Sequence, residues 1–471
     1  MATALRRLAF LLTVSSLALV AGAPPAAAQE PEGPVDRAVA GLELRGIGPA
    51  FMGGRIADIA VHPEDPSTRY VAVGSGGLWK TTNAGTTWEP VFDEQASFSI
   101  GEVTLDPSRP EVVWVGTGEN VSGRHVGWGD GVYRSRDGGR TWERMGLEDS
   151  EHVGRILVDP RDPSVIYVAA EGPLWSSGGE RGVYRSTDGG ESWSPVLRIG
   201  EDTGVTDLEF APGDPDVLYA AAYQRRRRTW GFLAGGPRSG IYKSTDGGDT
   251  WRELTVGLPE GDMGKIGLEV TPADSSLVYA TIEADEDERG FYRSLDRGES
   301  WERRSSYTSG GTGPHYYQEI EASPVDADRV YQMDVFLHVT RDGGESFEIL
   351  GDGRQKHTDN HALWIDPEDG EHLIAGTDGG LYETRDEGAT WRHFPNLPVS
   401  QFYHVSVSSE APFYSVVGGT QDLGTLLGPA RTPNVEGVRN RDWSVPLGAD
   451  GYGVAFDPED PSTVYMETQV G

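Results

Sequence analysis

The sequence predicts an all-β protein, a β-propeller of four-stranded antiparallel blades, from a repeat that recurs along almost the whole chain. Seven times a strand-like segment runs into a short turn and then an aromatic residue, and these aromatic residues recur at intervals of 44 to 58 residues. A strand, a proline-bearing turn and a second strand rich in Val, Ile and Tyr precede each copy. Four short strands in roughly 50 residues match one propeller blade, and the 3.6-residue period of helical repeats is absent.

The repeated turn has the pattern S-x-D-x-G-x-[ST]-W, the Asp box, as in STDGGESW ending at Trp193. In such a turn the carboxylate accepts backbone N–H groups and the glycine adopts positive φ at little cost. The seven copies in register therefore predict a structural role, away from any ligand, for one residue per blade. These residues are Asn83, Asp137, Asp188, Asp246, Asp296, Asp342 and Asp386.

The repeat also predicts the domain organisation. Residues 45–400 hold the seven Asp-box blades, and residues 401–471 are expected to begin a second propeller or to add blades to a larger ring. Residues 1–28 have the layout of a secretory signal peptide, with Arg6 and Arg7 before an apolar run and alanines at positions 26–28. Residues 29–44 would then be a linker, and the protein is expected to be secreted or periplasmic.

Charge and composition exclude several classes of function. The formal net charge is -34, so nucleic acid, which is bound through clustered Lys and Arg, is not an expected partner. The sequence has no cysteine, which rules out disulfides and thiolate chemistry. No segment after the leader is long and apolar enough to span a membrane, and we expect no cofactor and no bound metal.

The long loops between the second and third strands, and between blades, should emerge on the face opposite the Asp boxes. They carry aromatic and polar residues of the kind that grip sugars or peptides. The predicted ligand-binding residues are Glu119, His125, Trp128, Glu151, His152, Glu171, Trp175, Tyr223, Arg225, Trp230, His315, Tyr316, Tyr317, His357, Asp359 and His361.

Two clusters among these loops each have two interpretations. The run Arg225–Arg228 could grip a carboxylate-bearing ligand, because arginine forks match carboxylates, or it could pair with acidic residues of the protein itself. His357, Asp359 and His361 alternate along a presumed inner strand, so they could face one side as a metal site or general base. A hydrogen-bonded structural cluster is the alternative.

The register of Asp boxes and Asp-Pro turns across residues 45–471 resembles two related families. One is the sortilin-type propeller, whose members bind peptides and proteins. The other is the xyloglucan-hydrolysing family of tandem seven-bladed propellers, and the chain looks most like exported bacterial proteins labelled glycosyl hydrolase. It is less similar to sialidases, because GGRIADIA stands where those proteins have an Arg-Ile-Pro segment.

The xyloglucanase resemblance implies two catalytic aspartates, consistent with an inverting acid and base pair. The first family aspartate lies in a T-D-V-G-G segment, and here Gly74 of VAVGSGGLW stands in its place. The second lies in a G-D-I-G-G-F segment, which GGTQDLGTLLG resembles, so Asp422 would be its counterpart. Asp378, in the GTDGGLY segment of the seventh blade, repeats the first motif in a different blade and is a candidate substitute.

These observations leave the question of an enzymatic function open. The first hypothesis is an exported propeller that binds a glycan or peptide on its loop-rich face without chemistry, because Gly74 cannot transfer a proton. The alternative is a glycoside hydrolase acting on a β-glucan-type polysaccharide, with Asp422 as the acid. A third hypothesis is a scaffold within a larger envelope protein.

Overall fold

The structure is a computed structural model that describes residues 38–39, 45–48 and 54–469. Residues 1–46 separate from residues 47–471 as a unit of their own, and the described part of that first unit is limited to residues 38–39, which are helical, and residues 45–46. The predicted signal peptide and most of the predicted linker lie outside the described residues. No helix among the described residues is long and apolar enough to cross a membrane.

Seven antiparallel sheets follow one another along residues 56–393, each running outward in chain order from its first strand. The first three are β1 (Ile56–Val61), β2 (Arg69–Val73), β3 (Gly77–Thr81) and β4 (Glu89–Pro90); β5 (Ile100–Asp106), β6 (Arg109–Thr117), β7 (Val132–Ser135) and β8 (Glu143–Gly146); and β9 (Val153–Val158), β10 (Ile166–Ala170), β11 (Gly182–Ser186) and β12 (Ser194–Leu197). The fourth is β13 (Thr203–Ala211), β14 (Asp214–Arg228), β16 (Gly240–Ser244) and β17 (Arg252–Leu254), with β15 (Gly231–Ala234) paired to the extension of β14.

The remaining three of these sheets are β18 (Ile266–Val270), β19 (Val278–Ile282), β20 (Gly290–Ser294) and β21 (Glu302–Ser305); β22 (Ile320–Ala322), β23 (Val330–Gln332), β24 (His338–Thr340) and β25 (Glu348–Ile349); and β26 (Asn360–Ile365), β27 (Leu373–Thr377), β28 (Gly380–Thr384) and β29 (Arg392–His393). An eighth sheet is β30 (Phe402–Val407), β31 (Ser415–Thr420), β32 (Gly424–Pro429) and β33 (Ser444–Leu447), followed by the hairpin β34 (Gly451–Phe456) and β35 (Val464–Thr468). Short 3₁₀ turns occupy Glu148–Ser150 and Asn440–Asp442.

Each of the seven sheets shares an apolar cluster with its neighbour, so the sheets close a ring, and residues of all seven line a central channel. β1 contacts β5 on one side and β26 on the other, and one apolar cluster joins Ile56 and Val71 of the first sheet to Ile374 and Phe394 of the seventh. Glycine near the start of an inner strand permits this close approach. A Cβ at Gly154, for example, would lie 2.5 Å from the carbonyl oxygen of Thr206 in the next sheet. The predicted all-β class of four-stranded antiparallel sheets is thus confirmed.

The Asp-box turns join the third and fourth strands and form hydrogen bonds of one kind. In the second sheet, Asp137 Oδ1 accepts the N–H of Thr141 at 2.9 Å and of Arg140 at 3.0 Å. Trp142, which ends this box, donates its indole N–H to the carbonyl of Val91 in the preceding sheet at 2.6 Å. The turn therefore fixes its own loop, and the aromatic residue after it fixes the spacing between neighbouring sheets.

The channel wall contains half-buried charged groups around one arginine. Arg155 lies 2.7 Å from Glu209 and 3.4 Å from Asp207. Burial raises the pKa of Glu209 to about 7 and that of Glu321 to about 8, although the charge of Arg155 lowers both. Several carboxyl groups here thus retain protons at a pH at which exposed ones are ionised.

Candidate functional site

The second strand of most sheets ends on the face opposite the Asp boxes, and an acidic residue follows it at the first or second position. Successive antiparallel strands bring all these ends to one face. The acidic residues that follow second strands in this way are Glu119, Glu171, Glu283, Asp334, Asp378 and Asp422. Three of them, Glu119, Asp378 and Asp422, belong to one network between the ring and the eighth sheet.

Arg55, which directly precedes β1, is the cation at the centre of this network. Its Nε lies 2.7 Å from Asp378 Oδ1 and its Nη2 lies 3.1 Å from Asp378 Oδ2, which is a two-pronged contact. Its Nη1 lies 3.4 Å from Glu119 Oε2. Arg55 is 1% exposed, so this arginine ties the first, second and seventh sheets together inside the protein.

The surroundings of Asp378 hold it in its ionised form. Burial opposes ionisation, but the charge of Arg55 and the neighbouring imidazole of His361, 3.1 Å away, hold the pKa of Asp378 below its usual range. Gln421 donates its side-chain N–H to Asp378 Oδ2 and lies 3.3 Å from the hydroxyl of Tyr316. Asp378 is therefore a buried anion with several donors.

Asp422 lies at the half-buried edge of the same network, in the tight turn between β31 and β32. Its backbone N–H donates to Asp450 Oδ1 at 2.6 Å, while its own Oδ2 is buried without a hydrogen-bond partner among the described residues. Burial, together with the negative charges of Asp378, Asp450 and Asp359, raises the pKa of Asp422 to about 8. Asp422 thus holds a proton at neutral pH beside an ionised carboxylate, the separation expected of an acid and its partner.

Gly74 opens space for a carboxylate from the neighbouring sheet. A Cβ at position 74 would lie 2.9 Å from Cδ of Glu119. Glu119 accepts the hydroxyl of Ser75 at 3.2 Å and is fully buried. Burial raises the pKa of Glu119, and the charge of Arg55 partly offsets that rise. A carboxyl group is therefore present beside position 74, although the residue there is glycine.

Aromatic rings form a wall between the ring of sheets and the eighth sheet. Tyr403 of β30 and Tyr452 of β34 stack with centroids 5.3 Å apart and planes 4° apart. His125, from the long loop of the second sheet, meets Tyr403 edge-on at 5.3 Å. Desolvation and the charge of Arg55 lower the pKa of His125 to about 4, so its ring is neutral at pH 7.

Loops from several sheets meet over the channel in a small apolar cluster. It contains Val121, Val126, Leu174, Tyr316 and Tyr317, with Phe232 and Val335 packed against it. Asn120 and Gln318, the chain neighbours of Val121 and Tyr317, line the channel, so the cluster lies at its mouth. An elongated ligand on this face would therefore lie across it rather than enter the channel.

The other predicted ligand-binding residues divide by exposure. Trp128, Trp175 and Trp230 are 72%, 46% and 79% exposed, as a stacking surface requires, and Glu151 and His315 are half-buried. Four others are buried and thus removed from the accessible surface, namely His152, Glu171, Tyr223 and Arg225. Arg225 forms an ion pair with Glu171 at 2.8 Å.

The presumed strand through His357, Asp359 and His361 was wrong in its extent. β26 begins at Asn360, and Asp359 has a left-handed φ of 64°, so the three side chains do not alternate along one strand. Tyr317 nevertheless connects two of them, because its hydroxyl donates to Asp359 and its ring stacks on His361 at 5.3 Å. His357 contacts Gly379 instead. No set of three or more His, Asp or Glu side chains within the described ranges is placed to hold a metal ion.

Sequence reasoning did not identify several members of the site, namely Arg55, Ser75, Tyr403, Gln421, Asp450 and Tyr452. Arg55 offered one signal, since it is an arginine directly before an apolar inner strand. Gln421 offered another, because it directly precedes Asp422. The remaining members approach the site only through the packing of the eighth sheet on the ring.

Comparison with known proteins places the chain among related propellers. The family model described as Sortilin-Vps10 (sortilin, neurotensin receptor 3) matches residues 130–257. The xyloglucanase Xgh74A of Acetivibrio thermocellus is 23% identical over 380 residues, which cover 72% of this chain and 38% of that protein. A xyloglucanase of a Paenibacillus species is 28% identical over 249 residues, covering 48% and 23%.

Solved structures agree on the fold. The crystal structure of the GH74 enzyme of Niastella koreensis matches with a TM-score of 0.60 and 17% identity, covering 90% of this chain and 64% of that one. An ancestral GH74 enzyme matches with a TM-score of 0.57 and 18% identity, covering 81% and 53%. The chain is a sortilin-like β-propeller related to the xyloglucanases.

The chain spans less than half the length of these two xyloglucanases. The resemblance expected from the Asp boxes is therefore confirmed at the level of the propeller and its relatives.

Proposed function

We propose that this chain is a glycoside hydrolase of the inverting, xyloglucanase-like kind, which binds a β-glucan-type polysaccharide and protonates the leaving glycosidic oxygen from Asp422. The observation that carries the proposal is the state of this carboxyl group. It is half-buried, its pKa is raised to about 8, and one oxygen has no hydrogen-bond partner among the described residues. The xyloglucanase relatives support the same class of substrate.

A general acid must hold its proton at the working pH and deliver it to a substrate atom within hydrogen-bond reach. Asp422 meets the first requirement because its burial and the nearby anion Asp378 both disfavour a negative charge on it. In this account Asp378 is a positioning residue that acts through its charge, since Arg55, His361 and Gln421 surround it. The aromatic wall of Tyr403 and Tyr452 lies beside Asp422 and offers apolar surface for a sugar ring.

A second candidate function, binding of a glycan or peptide without hydrolysis, is favoured by a different observation. An inverting mechanism needs a carboxylate that activates water. Position 74 is glycine, and the two nearby carboxylates, Glu119 and Asp378, are 0% and 3% exposed, so neither contacts solvent in this arrangement. If the chain hydrolyses glycans, Asp422 is the acid and another carboxylate activates the water. The predicted leader would place either activity outside the cytoplasm, where polysaccharides are met.

Measurement of reducing ends released from xyloglucan and from an unsubstituted β-glucan tests the proposal. The wild-type protein should release them, and Asp422→Asn should reduce release at least 100-fold, because general acid catalysis typically contributes about 10² to 10⁴. Asp249→Asn, which changes an exposed carboxylate in an Asp-box turn, is the matched control and should retain activity. Binding of these glucans without release by the wild-type protein would reject the hydrolase and leave the binding function.

A further inference from the structure

Only part of the arginine run Arg225–Arg228, on the hairpin formed by β14 and β15, is paired with carboxylates of the protein itself. Arg225 pairs with Glu171 at 2.8 Å, and Arg226 lies 3.4 Å from Asp202. Arg227 and Arg228 form no ion pair with a carboxylate among the described residues. Half of the run is therefore neutralised by the protein's own acids, and half is not.

Arg227 is fixed in place but keeps part of its guanidinium unused. Its Nε donates to the carbonyl of Ser122 at 2.5 Å, and its guanidinium lies 4.2 Å from the centroid of the Phe232 ring. Its two terminal nitrogens make no hydrogen bond within residues 54–469. Two contacts thus orient the guanidinium and leave its two terminal nitrogens able to donate hydrogen bonds to an anion.

A second cation, Arg124, lies two residues after Ser122, whose carbonyl accepts the Nε–H of Arg227. Burial lowers the pKa of Arg227, and the positive charge of Arg124 lowers it further. Arg124 is exposed and has no acidic partner within the described part of the chain. In a protein with 74 acidic and 40 basic residues, two neighbouring arginines without a carboxylate repel each other, and a bound anion would relieve that repulsion.

The position of this pair relative to Asp422 follows from His125. His125 follows Arg124 directly in the chain, and its ring meets Tyr403 of the aromatic wall edge-on at 5.3 Å. The segment from Arg124 to His125 thus leads from the arginines towards the network that contains Asp422. Phe232 and His315, with ring centroids 5.3 Å apart, line the side of the arginines.

We propose that Arg124 and Arg227 bind the carboxylate of an acidic sugar unit, such as a uronic acid, in a glycan that extends past His125 to Asp422. Arginine forks match the geometry of a carboxylate, and the flat faces of Phe232 and His315 suit a pyranose ring better than an acidic peptide side chain. The placement of the glycan near Asp422 rests on the proposed function, but binding of its acidic sugar unit by the two arginines does not. The protein would thus recognise a negatively charged β-glucan in preference to a neutral one.

The test compares two probes that differ at one carbon. A neutral cello-oligosaccharide and the same oligosaccharide oxidised at C6 to carry glucuronic acid units are titrated by calorimetry at low ionic strength. The proteins are the wild type, Arg124→Gln and Arg227→Gln, with Arg136→Gln as the control, because Arg136 is an exposed arginine beside an Asp box. The oxidised probe should bind the wild type and the control roughly tenfold more tightly than the neutral probe.

Each outcome decides the proposal. Loss of this preference in Arg124→Gln supports the site. Arg124 is exposed, so this variant should fold even if the more buried Arg227→Gln does not. Equal affinity of the wild type for both probes would overturn the proposal, as would an unchanged preference in Arg124→Gln. Tighter binding of an oligoglutamate peptide than of the oxidised sugar would also overturn it and would indicate a peptide site. An Asp422→Asn protein that is inactive should keep the preference, which separates this test from that of hydrolysis.

Discussion

The carboxyl group of Glu119 occupies the space that a side chain at Gly74 would need. A Cβ at position 74 would approach Glu119 Cδ to 2.9 Å, and the carboxyl is held there by Ser75 and Arg55. The first sheet therefore has no side chain at this point, and a carboxyl group from the second sheet lies there instead. The Glu119 carboxyl thus occupies the space that a side chain at position 74 would otherwise fill.

This arrangement predicts coupling between the two positions. Gly74→Ala should lower the free energy of unfolding by about 1 to 3 kcal/mol, the usual range for overpacking a buried site. The same change in a Glu119→Ala protein should cost clearly less, because the opposing carboxyl is gone. Urea denaturation of the four proteins gives the coupling, with Gly448→Ala as the control at a glycine with open space around it. Equal costs in both backgrounds would show that the carboxyl does not fill this space.

The charge of Asp378 should set the pH range of hydrolysis. Because this charge helps to raise the pKa of Asp422, Asp378→Asn should lower that pKa and move the alkaline limb of the pH–rate profile to lower pH. The readout is the position of the limb and not the rate, since loss of an Arg55 partner also costs stability. Asp386→Asn, in an Asp box on the opposite face, should leave the limb in place. An unmoved limb in Asp378→Asn would contradict the electrostatic role.

Carboxyl groups in the channel should make the protein less stable as the pH rises. Burial raises the folded-state pKa of Glu209 to about 7 and of Glu321 to about 8, above the value of about 4.3 for an unfolded chain. The folded state then binds more protons, so this contribution is complete below about pH 4 and is lost as the pH rises through 7 and 8. In urea titrations Glu321→Gln should lose less stability than the wild type across this interval, by at most about 1.4 kcal/mol per pH unit. A slope matching that of the wild type and of the exposed control Glu368→Gln would argue against a protonated Glu321.

The Asp-box carboxylates should affect stability without affecting hydrolysis. Asp137 accepts two backbone N–H groups and the hydroxyl of Thr141, so Asp137→Ala should cost about 1 to 3 kcal/mol of unfolding free energy. Asp137→Asn should cost less, because Asn83 serves the same turn in the first sheet and accepts the N–H of Thr87 at 2.9 Å. Thermal unfolding and the rate constant of glucan hydrolysis, measured on both variants, check this. A large loss of rate in folded Asp137→Asn would assign the residue a functional role.

The fold could be predicted from the sequence because the Asp-box and strand patterns are local and repeated. Each Asp-box turn satisfies its own hydrogen bonds within a few residues, as Asp137 does with Thr141, and seven copies in register leave few alternatives to a ring of sheets. Asp422 was also accessible, because its segment resembles a family motif.

The rest of the site depends on contacts that no local pattern contains. Arg55 and Asp378 are 323 positions apart and meet only when the seventh sheet packs on the first. The contact between the Glu119 carboxyl and Gly74 likewise could not be predicted from either segment alone. His357 and Asp359 misled the strand prediction because alternation of polar residues also occurs in a loop, and here Asp359 takes a left-handed conformation.

Measurement of the protonation state of Asp422 decides whether this residue can act as the general acid. The carboxyl ¹³C resonance of this residue, assigned by comparison with Asp422→Asn, can be followed by NMR as the pH is varied. We expect a titration midpoint near 8, with the carboxyl protonated at neutral pH. A midpoint near 4, the value of an ordinary exposed aspartate, would contradict this expectation and remove the proposed acid.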